Sequence, residues 1–287
     1  MIAVLKHELK GHFTGLTAYV CGAFLLAFLG IGAMLYNINA AVTNFEYVLG
    51  FGSIVFAVLV PILTMRVLSE ERRQKTDQLL YSLPITTTQV ILGKYIALLV
   101  VFAIPMAIVC LYPPIFSQFG AVYLPTAYGS LLAFFLVGAA LIAVGTFLSS
   151  LTENQGLAAG MGVGLILFNY FSVQLAEYVS ATAIGSFITI LLLLLGLGLL
   201  IRYLTKSEAL AGVISIGLMA ATLIGYFVSP QAFEGLLPRV MTRLSLFAQL
   251  DVFINGMFDL GGIVYFLSVI VLFLSLSVQS MEKRRYN

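Results

Sequence analysis

The chain has 287 residues, of which 61% are hydrophobic and only 9% are charged, and its formal net charge is +2. A soluble domain carries about 25% charged residues, so this composition excludes a soluble globular protein, and the small net charge gives no indication of a nucleic-acid partner. We expect an all-α, polytopic bundle of transmembrane helices that forms a single membrane domain over residues 1–287.

Apolar runs long enough to cross a bilayer recur along the whole chain. About 20 helical residues cross a hydrocarbon core of roughly 30 Å. The sequence predicts eight spans, at about residues 16–36, 47–66, 88–112, 126–148, 157–176, 183–203, 209–228 and 260–280. The pair within 183–228 could instead form a re-entrant hairpin, which would leave six full crossings.

The distribution of basic residues predicts the orientation, because cytoplasmic loops carry an excess of Lys and Arg. With both termini in the cytoplasm, Arg239 and Arg243 are the only two of the 14 Lys and Arg residues that lie outside. We therefore expect the N- and C-termini to be cytoplasmic.

The polar segment 1–15 precedes the first predicted span. Lys6 and Lys10 are typical of an amphipathic helix that lies at the cytoplasmic membrane interface. His7 and His12 are five residues apart, whereas the zinc motif of metalloproteases needs two histidines four residues apart on one helix face. We therefore expect no metal site in this segment.

A long, charged cytoplasmic connection, residues 67–87, joins the second and third predicted spans; we call it the elbow. Residues 69–82 are charged on nearly every face, as in a helix that contacts something outside its own core. This helix must end before Pro84, because the residue before a proline disfavours the helical region. Thr86 and Gln89 form a T-x-x-Q capping box ahead of the third span. The sequence predicts a rigid connection made of a helix, a break and a capped helix.

A second cytoplasmic turn repeats the T-x-x-Q pattern between Thr152 and Gln155, immediately before the fifth predicted span. The pattern again predicts a helix start capped by the threonine. Stabilisation of that helix start and contact with a partner are both compatible with it.

The fifth predicted span carries Gly156, Gly160 and Gly164 at intervals of four residues. Small residues at this spacing allow two helices to approach closely. Packing within the chain and contact with a second subunit are both open. Asn169 and Tyr170 follow on the same span and could line a translocation path.

The segment 229–258 is too polar to span the membrane and predicts external interfacial helices. Apolar residues between positions 237 and 248 repeat at helical spacing. Arg239 and Arg243 are four residues apart on another face of the same helix. We expect the helix to lie in the outer leaflet, where its arginines either anchor it or guide an amphipathic or anionic substrate.

Several of these segments resemble the ABC-2 class of ABC transporter permeases. SEERRQKTDQLLYSLPITTTQVILGK is similar to the coupling-helix signature of that class, with its Glu-Glu-Arg, Thr, Leu-Leu, Leu-Pro and Gly-Lys elements. MIAVLKHELKGHFTG, VPILTMRVLSEERRQKTDQLL, SSLTENQ and the C-terminal LDVFINGMFDLGGIVYFLSVIVLFLSLSVQSMEKRRYN resemble the gliding-motility-type permeases within it. The class usually has six spans, and residues 171–236 lie outside the resemblance.

The resemblance implies a permease subunit of the bacterial cytoplasmic (inner) membrane, with export as the expected direction. Such a subunit pairs with a second permease, as a homodimer or a heterodimer, and sits on cytoplasmic ABC ATPase subunits that bind ATP and Mg. An auxiliary gliding-motility-type membrane protein could join this assembly. The residues expected to couple to the ATPase are Glu70, Glu71, Arg72, Arg73, Lys75, Thr76, Asp77, Leu79, Leu80, Tyr81 and Pro84. A lesser contact is expected at Thr152, Glu153, Asn154 and Gln155.

The sequence contains no G-x-x-x-x-G-K-[ST] phosphate-binding motif. We therefore expect no catalytic, cofactor-binding or metal-binding residue in this chain, and ATP hydrolysis in a partner. An ion-coupled secondary transporter is one alternative, although such carriers place ionisable residues within the membrane and these spans carry almost none. A non-transporting membrane scaffold or immunity protein is the other.

Overall fold

The computed structural model describes residues 1–76, 86–179, 182–205, 217–220, 222–223 and 226–285. These residues form helices and the turns between them, and no strand occurs among them. The predicted all-α fold is therefore confirmed.

The described residues of the first half of the chain form eight α-helices, which we number in chain order: α1 Ile2–Thr14, α2 Thr17–Ala33, α3 Glu46–Gly52, α4 Phe56–Thr64, α5 Ser69–Arg73, α6 Thr87–Val109, α7 Tyr112–Phe116 and α8 Leu124–Leu151. Helix α2 continues as a π-helix over Met34–Asn39, and a short 3-10 helix, Ser53–Val55, joins α3 to α4.

The second half has five more described α-helices: α9 Gln155–Tyr178, α10 Ala183–Thr205, α11 Leu236–Leu244, α12 Leu246–Ile254 and α13 Leu260–Arg285. A 3-10 helix, Pro230–Phe233, precedes α11.

Six candidate membrane spans, chosen by length and hydropathy, occur in the described part of the chain. They are Thr17–Asn39, Glu46–Arg73, Thr87–Phe116, Leu124–Leu151, Gln155–Tyr178 and Leu260–Lys283. Each coincides with one of the eight predicted spans, which confirms a multi-pass membrane protein. The sixth predicted span, 183–203, corresponds to α10. The seventh, 209–228, lies largely outside the described residues.

The chain divides into two compact units. Met1–Tyr170 and Leu246–Asn287 form the first unit, and Phe171–Ser245 forms the second. In the first unit, α8 is central: α13, α12, α4 and α6 all pack against it.

The centre of the first unit combines large aromatic side chains with glycines that give them room. Phe56, Phe102 and Phe134 are almost completely buried. The centroid of the Phe56 ring lies 5.9 Å from that of the Phe102 ring and 4.6 Å from that of the Phe134 ring. A Cβ atom on Gly138 would lie only 2.5 Å from the Phe102 ring. Glycine at this position therefore lets α8 approach α6 closely.

Candidate functional site

The elbow starts at a helix that α8 holds in place. The backbone N–H groups of Leu68 and Ser69 both donate to the hydroxyl of Ser149, each over 3.2 Å. That hydroxyl in turn donates to the carbonyl of Met65 over 3.3 Å. Ser69 and Ser149 are fully buried. Since the first N–H groups of a helix lack partners within it, the Ser149 hydroxyl supplies an acceptor that the start of α5 needs.

Helix α5 ends at Arg73 in a Schellman motif. Lys75 adopts a left-handed conformation with φ of 57°. Its N–H donates to the carbonyl of Arg72 over 3.1 Å, and the N–H of Thr76 donates to that of Glu71 over 2.9 Å. These are the two bonds that define this helix end.

The prediction of one continuous helix over 69–82 is therefore wrong, because the left-handed turn at Lys75 interrupts it. The remaining predicted coupling residues, Asp77, Leu79, Leu80, Tyr81 and Pro84, lie outside the described residues.

The charged residues of the elbow differ in their exposure. Glu71 points inward and accepts a charged hydrogen bond from the ammonium group of Lys94 over 2.7 Å. Arg72 is 6% exposed, whereas Arg73 and Lys75 are exposed. Glu70 is half-buried and accepts from the Gln74 amide over 3.3 Å. Among the described elbow residues, Arg73 and Lys75 are the charged groups best placed to meet a partner.

Lys94 joins the elbow to the N-terminal helix. Its ammonium group also contacts the Glu8 carboxylate of α1 over 2.6 Å, and the residue is only 3% exposed. A buried charge is tolerated when paired and hydrogen-bonded. Two carboxylates from two different elements therefore share one ammonium group near the start of α6.

A cavity of about 590 Å³ lies between α1 and the elbow. Its wall includes Val4, His7 and Glu8 from α1, and Glu70 and Gln74 from the elbow. The cavity therefore separates part of α1 from the described part of the elbow.

His12, on the last turn of α1, lies beside a smaller cavity of about 220 Å³ that Arg66 and Glu70 also line. Burial lowers the pKa of His12 from its ordinary value of 6.5; the nearby Glu8 opposes this effect and Lys94 adds to it. Burial therefore favours the neutral imidazole of His12 over the protonated one in the folded chain.

The capped start of α6 is confirmed. The hydroxyl of Thr86 accepts a hydrogen bond from the N–H of Gln89 over 3.3 Å, and the helix begins at Thr87. The hydroxyl of Thr87 donates to Glu282 of α13 over 2.8 Å. A side-chain hydrogen bond thus links the start of α6 to the last turns of α13.

The turn at Thr152–Gln155 is capped by a different residue from the one predicted. Asn154, not Thr152, caps α9, since its side-chain oxygen accepts from the N–H groups of Gly156 and Leu157 over 2.9 and 3.4 Å. Thr152 instead accepts from the N–H of Asn154 over 3.1 Å. Asparagine caps helices at least as well as threonine, so the helix starts at Gln155. Glu153 is exposed in this turn.

The glycine stripe of α9 does not pack within the part of the chain that the structure describes. Gly156, Gly160 and Gly164 are exposed, and a Cβ atom on Gly160 or Gly164 would meet nothing within 4 Å. The close contact is instead made by Gly162, whose Cβ would lie 3.3 Å from Pro61 of α4.

Asn169 and Tyr170 contact α12. The side-chain oxygen of Asn169 accepts from the N–H of Leu246 over 3.0 Å, at the first residue of that helix. The ring of Tyr170 lies edge-on to that of Phe247, with centroids 5.1 Å apart. Both side chains therefore have a structural contact that the sequence did not predict.

The segment 229–258 forms two α-helices, and the apolar repeat between positions 237 and 248 is divided between them at Ser245. The first, α11, ends at Leu244, and α12 begins at Leu246. Arg239 and Arg243 are exposed on α11, and Arg239 donates to the carbonyl of Glu234 over 3.0 Å. Four side chains of α12 are buried, namely Leu246, Phe247, Leu250 and Phe253. Helix α12 thus contributes to the core of the first unit.

Sequence reasoning did not identify Glu8, Lys94 and Ser149 as site residues. Lys94 carried a signal, since a charge seven residues into an apolar helix requires a partner. Ser149 carried none, because serines are common in membrane helices.

Comparison with protein families gives one match that includes the elbow, Lys94 and Ser149. The family model described as "ABC-2 family transporter protein" matches residues 31–176, which is half of the chain. No curated protein matches the sequence.

Proposed function

Because this chain belongs to the ABC-2 family of transporter proteins, we propose that it is the permease subunit of an ATP-driven exporter, of the gliding-motility type within that family. Members of this family are membrane components of transporters. Six apolar helices in the described part of the chain are long enough to span a bilayer. ATP and Mg are bound and used by a partner ATPase on the cytoplasmic side.

The observation that carries this proposal is the way in which the elbow is held. Hydrogen bonds to Ser149 fix the start of α5 against α8, and the pair between Glu71 and Lys94 fixes it against α6. Neither contact is needed in a connection that only joins two spans. Both would transmit a displacement of the elbow directly to two membrane helices.

In the proposed mechanism, closure of the ATPase subunits on ATP displaces residues 70–81. The displacement passes through α5 into α8 and α6, which these contacts join to it, and into α4, which precedes the elbow in the chain. Arg73 and Lys75 make the polar contact with the ATPase, and Leu79, Leu80 and Tyr81 make the apolar one. The turn at Thr152–Gln155, with Glu153 exposed, makes a second contact.

The permease acts as a dimer, with a second copy or with a different permease. The exposed glycines of α9 support an interface there, because small residues allow close helix approach. Both termini lie in the cytoplasm of a bacterium and the chain lies in its inner membrane, as the basic residues at the elbow and α1 favour. An auxiliary gliding-motility-type membrane protein completes the assembly.

The test is purification of the full chain from its native membrane in a mild detergent, followed by measurement of ATP hydrolysis. We expect a cytoplasmic ATPase to co-purify. The double variants Arg73→Glu/Lys75→Glu and Leu79→Asp/Leu80→Asp should each lose most of the associated hydrolysis.

The matched control is Lys283→Glu, an exposed charge reversal at the cytoplasmic end of α13, which should keep the ATPase bound. Undiminished association of the ATPase with both double variants would remove the coupling role from the elbow. Purification of the wild-type chain without any ATPase would contradict the proposed function.

A further inference from the structure

The ammonium group of Lys94 is the point at which three elements meet. It belongs to α6, and it lies 2.6 Å from the Glu8 carboxylate of α1 and 2.7 Å from the Glu71 carboxylate of the elbow. The side chain of Lys94 is 2% exposed, whereas those of Glu8 and Glu71 are 19% and 25% exposed. Charge-assisted bonds of this length, around a shielded cation, are strong and directional.

Helix α1 lies directly against α6 beside this junction. A Cβ atom on Gly93 would lie 3.2 Å from the Cβ of Val4 and 3.3 Å from the carbonyl oxygen of Met1. The glycine therefore permits a close approach that a larger side chain would disturb. No residue of α1 is buried, and the helix packs on α6 and α2 through partly exposed side chains.

Between α1 and the elbow the two surfaces are separated by the cavity of about 590 Å³, and Glu8, Glu71 and Lys94 all line it. The junction thus bridges α1 and the described part of the elbow at the wall of this cavity. Without the cation, two carboxylates at this site would face each other and repel.

We propose that Lys94 is a positioning residue that makes α1 move together with the elbow, so that α1 is a second element through which motion of the ATPase enters the membrane domain. This inference rests on the proposed function, since the ATPase supplies the motion. The elbow receives the displacement, Lys94 passes it to α1, and α1 transmits it to α2, on which it also packs.

The experiment uses pairs of spin labels in the full chain, with Cys21 and Cys110 replaced by serine. One pair, at Ile2→Cys and Gln74→Cys, reports the distance between α1 and the elbow; both positions are exposed. A second pair, at Ile2→Cys and Leu151→Cys, reports the position of α1 relative to the exposed end of α8. Distances are measured in the chain alone, and in the complex with its ATPase with and without ATP.

We expect a narrow distance distribution for the first pair in the wild-type background and a broader, longer one in Lys94→Met. In the complex, ATP should shift the second pair in the wild type. In Lys94→Met, the fraction of molecules that shift should fall about 10-fold, within the usual range of coupling between sites. Glu8→Gln removes only the charge that α1 contributes to the junction. It should also broaden the first distribution and reduce the ATP-driven shift of the second pair, so the test remains available if Lys94→Met does not fold. Lys6→Met removes an exposed lysine from the same helix and should change neither distance.

An unchanged distribution for the first pair in both Lys94→Met and Glu8→Gln would overturn the role of Lys94, whatever the transport activity. A normal ATP-driven shift of α1 in these variants would overturn it as well. If the wild-type chain binds no ATPase, the proposed function fails and this inference fails with it. A broadened first pair in the variants would then still show that the junction exists as a static link.

Discussion

Two adjacent serines near the end of α8 differ in what their hydroxyl groups contact. The hydroxyl of Ser149 hydrogen-bonds to the backbone of Leu68, Ser69 and Met65. The hydroxyl of Ser150 is fully buried but has no hydrogen-bond partner among the described residues. Ser149→Ala should lower the free energy of unfolding by about 2 kcal/mol, because two buried N–H groups lose their shared acceptor. Thermal unfolding in detergent measures this.

Ser150→Ala is the matched control. It removes a buried polar atom that has no described partner, so stability should stay the same or rise slightly. Equal losses of stability in the two variants would show that the Ser149 hydroxyl does not hold α5.

His12 gives the chain a pH-dependent stability. Burial lowers the pKa of His12 below its ordinary value of 6.5, so at mildly acidic pH the unfolded chain binds a proton more readily than the folded chain. Stability from this group is complete above about pH 6.5 and is lost as the pH falls through the lowered pKa. Glu8, Lys94, Arg66 and Glu70 are the charged groups around this site.

The measurement is the unfolding temperature of the full chain between pH 7.5 and pH 5. We expect it to fall on acidification in the wild type and in His7→Gln, and to fall less in His12→Gln. The same slope in His12→Gln as in the wild type would mean that other groups carry the effect.

At the scale of elements, the left-handed residue after α5 should be stabilised by substitution with glycine, which destabilises most other helix positions. Lys75 has a φ of 57°, which costs a residue with a Cβ atom about 1–2 kcal/mol. Lys75→Gly removes this strain, although the greater freedom of glycine in the unfolded chain offsets part of the gain. We expect a net stabilisation of about 0.5 kcal/mol in thermal unfolding, together with weaker ATPase binding because an exposed charge is lost.

Arg73→Gly, at the last residue of α5, is the comparison for that substitution. Glycine inside a helix costs about 1 kcal/mol relative to alanine, so this variant should be destabilised. If Lys75→Gly is destabilised to the same extent as Arg73→Gly, the left-handed turn does not form at Lys75.

Most of the helices could be predicted from the sequence because spans are long and apolar, and membrane thickness fixes their length. The capped start of α6 was also predictable, since Thr86 and Gln89 form a local pattern. The end of α5 was not, because lysine has no preference for the left-handed region that would have marked the turn. The capping role of Asn154 was missed because the T-x-x-Q pattern starting at Thr152 competed with it.

The contacts within the candidate site were less predictable than its place in the chain. Charge density located the elbow, but it did not show which charges point inward. Glu71 meets Lys94, 23 positions away, and Glu8 meets the same group from 86 positions away. Contacts between residues this far apart depend on how the helices pack, which no local pattern specifies.

At the scale of the whole molecule, the exposed face of α9 predicts how two permeases associate. Gly160 and Gly164 have open space around them, and nearby apolar side chains such as Leu157 and Phe168 are 51% and 64% exposed. Gly160→Leu and Gly164→Leu should leave the unfolding temperature of the single chain unchanged, while they greatly reduce dimer formation in chemical cross-linking of membranes.

Gly145→Leu is the contrasting variant, since a Cβ atom there would lie 2.3 Å from the Thr64 hydroxyl. It should destabilise the chain itself, because close-packed interiors do not accommodate added volume. Dimers that persist in both α9 variants would place the permease interface on another helix.

The most direct test of ATPase coupling is site-specific photo-cross-linking in living cells. A photoreactive residue replaces Lys75 in the elbow and, in a second strain, Tyr123, which is 69% exposed just before α8. We predict that Lys75 gives a strong adduct with an ATP-binding protein and that Tyr123 gives none. An intact complex with the ATPase in which the Lys75 position gives no adduct, and other cytoplasmic positions do, would contradict the account.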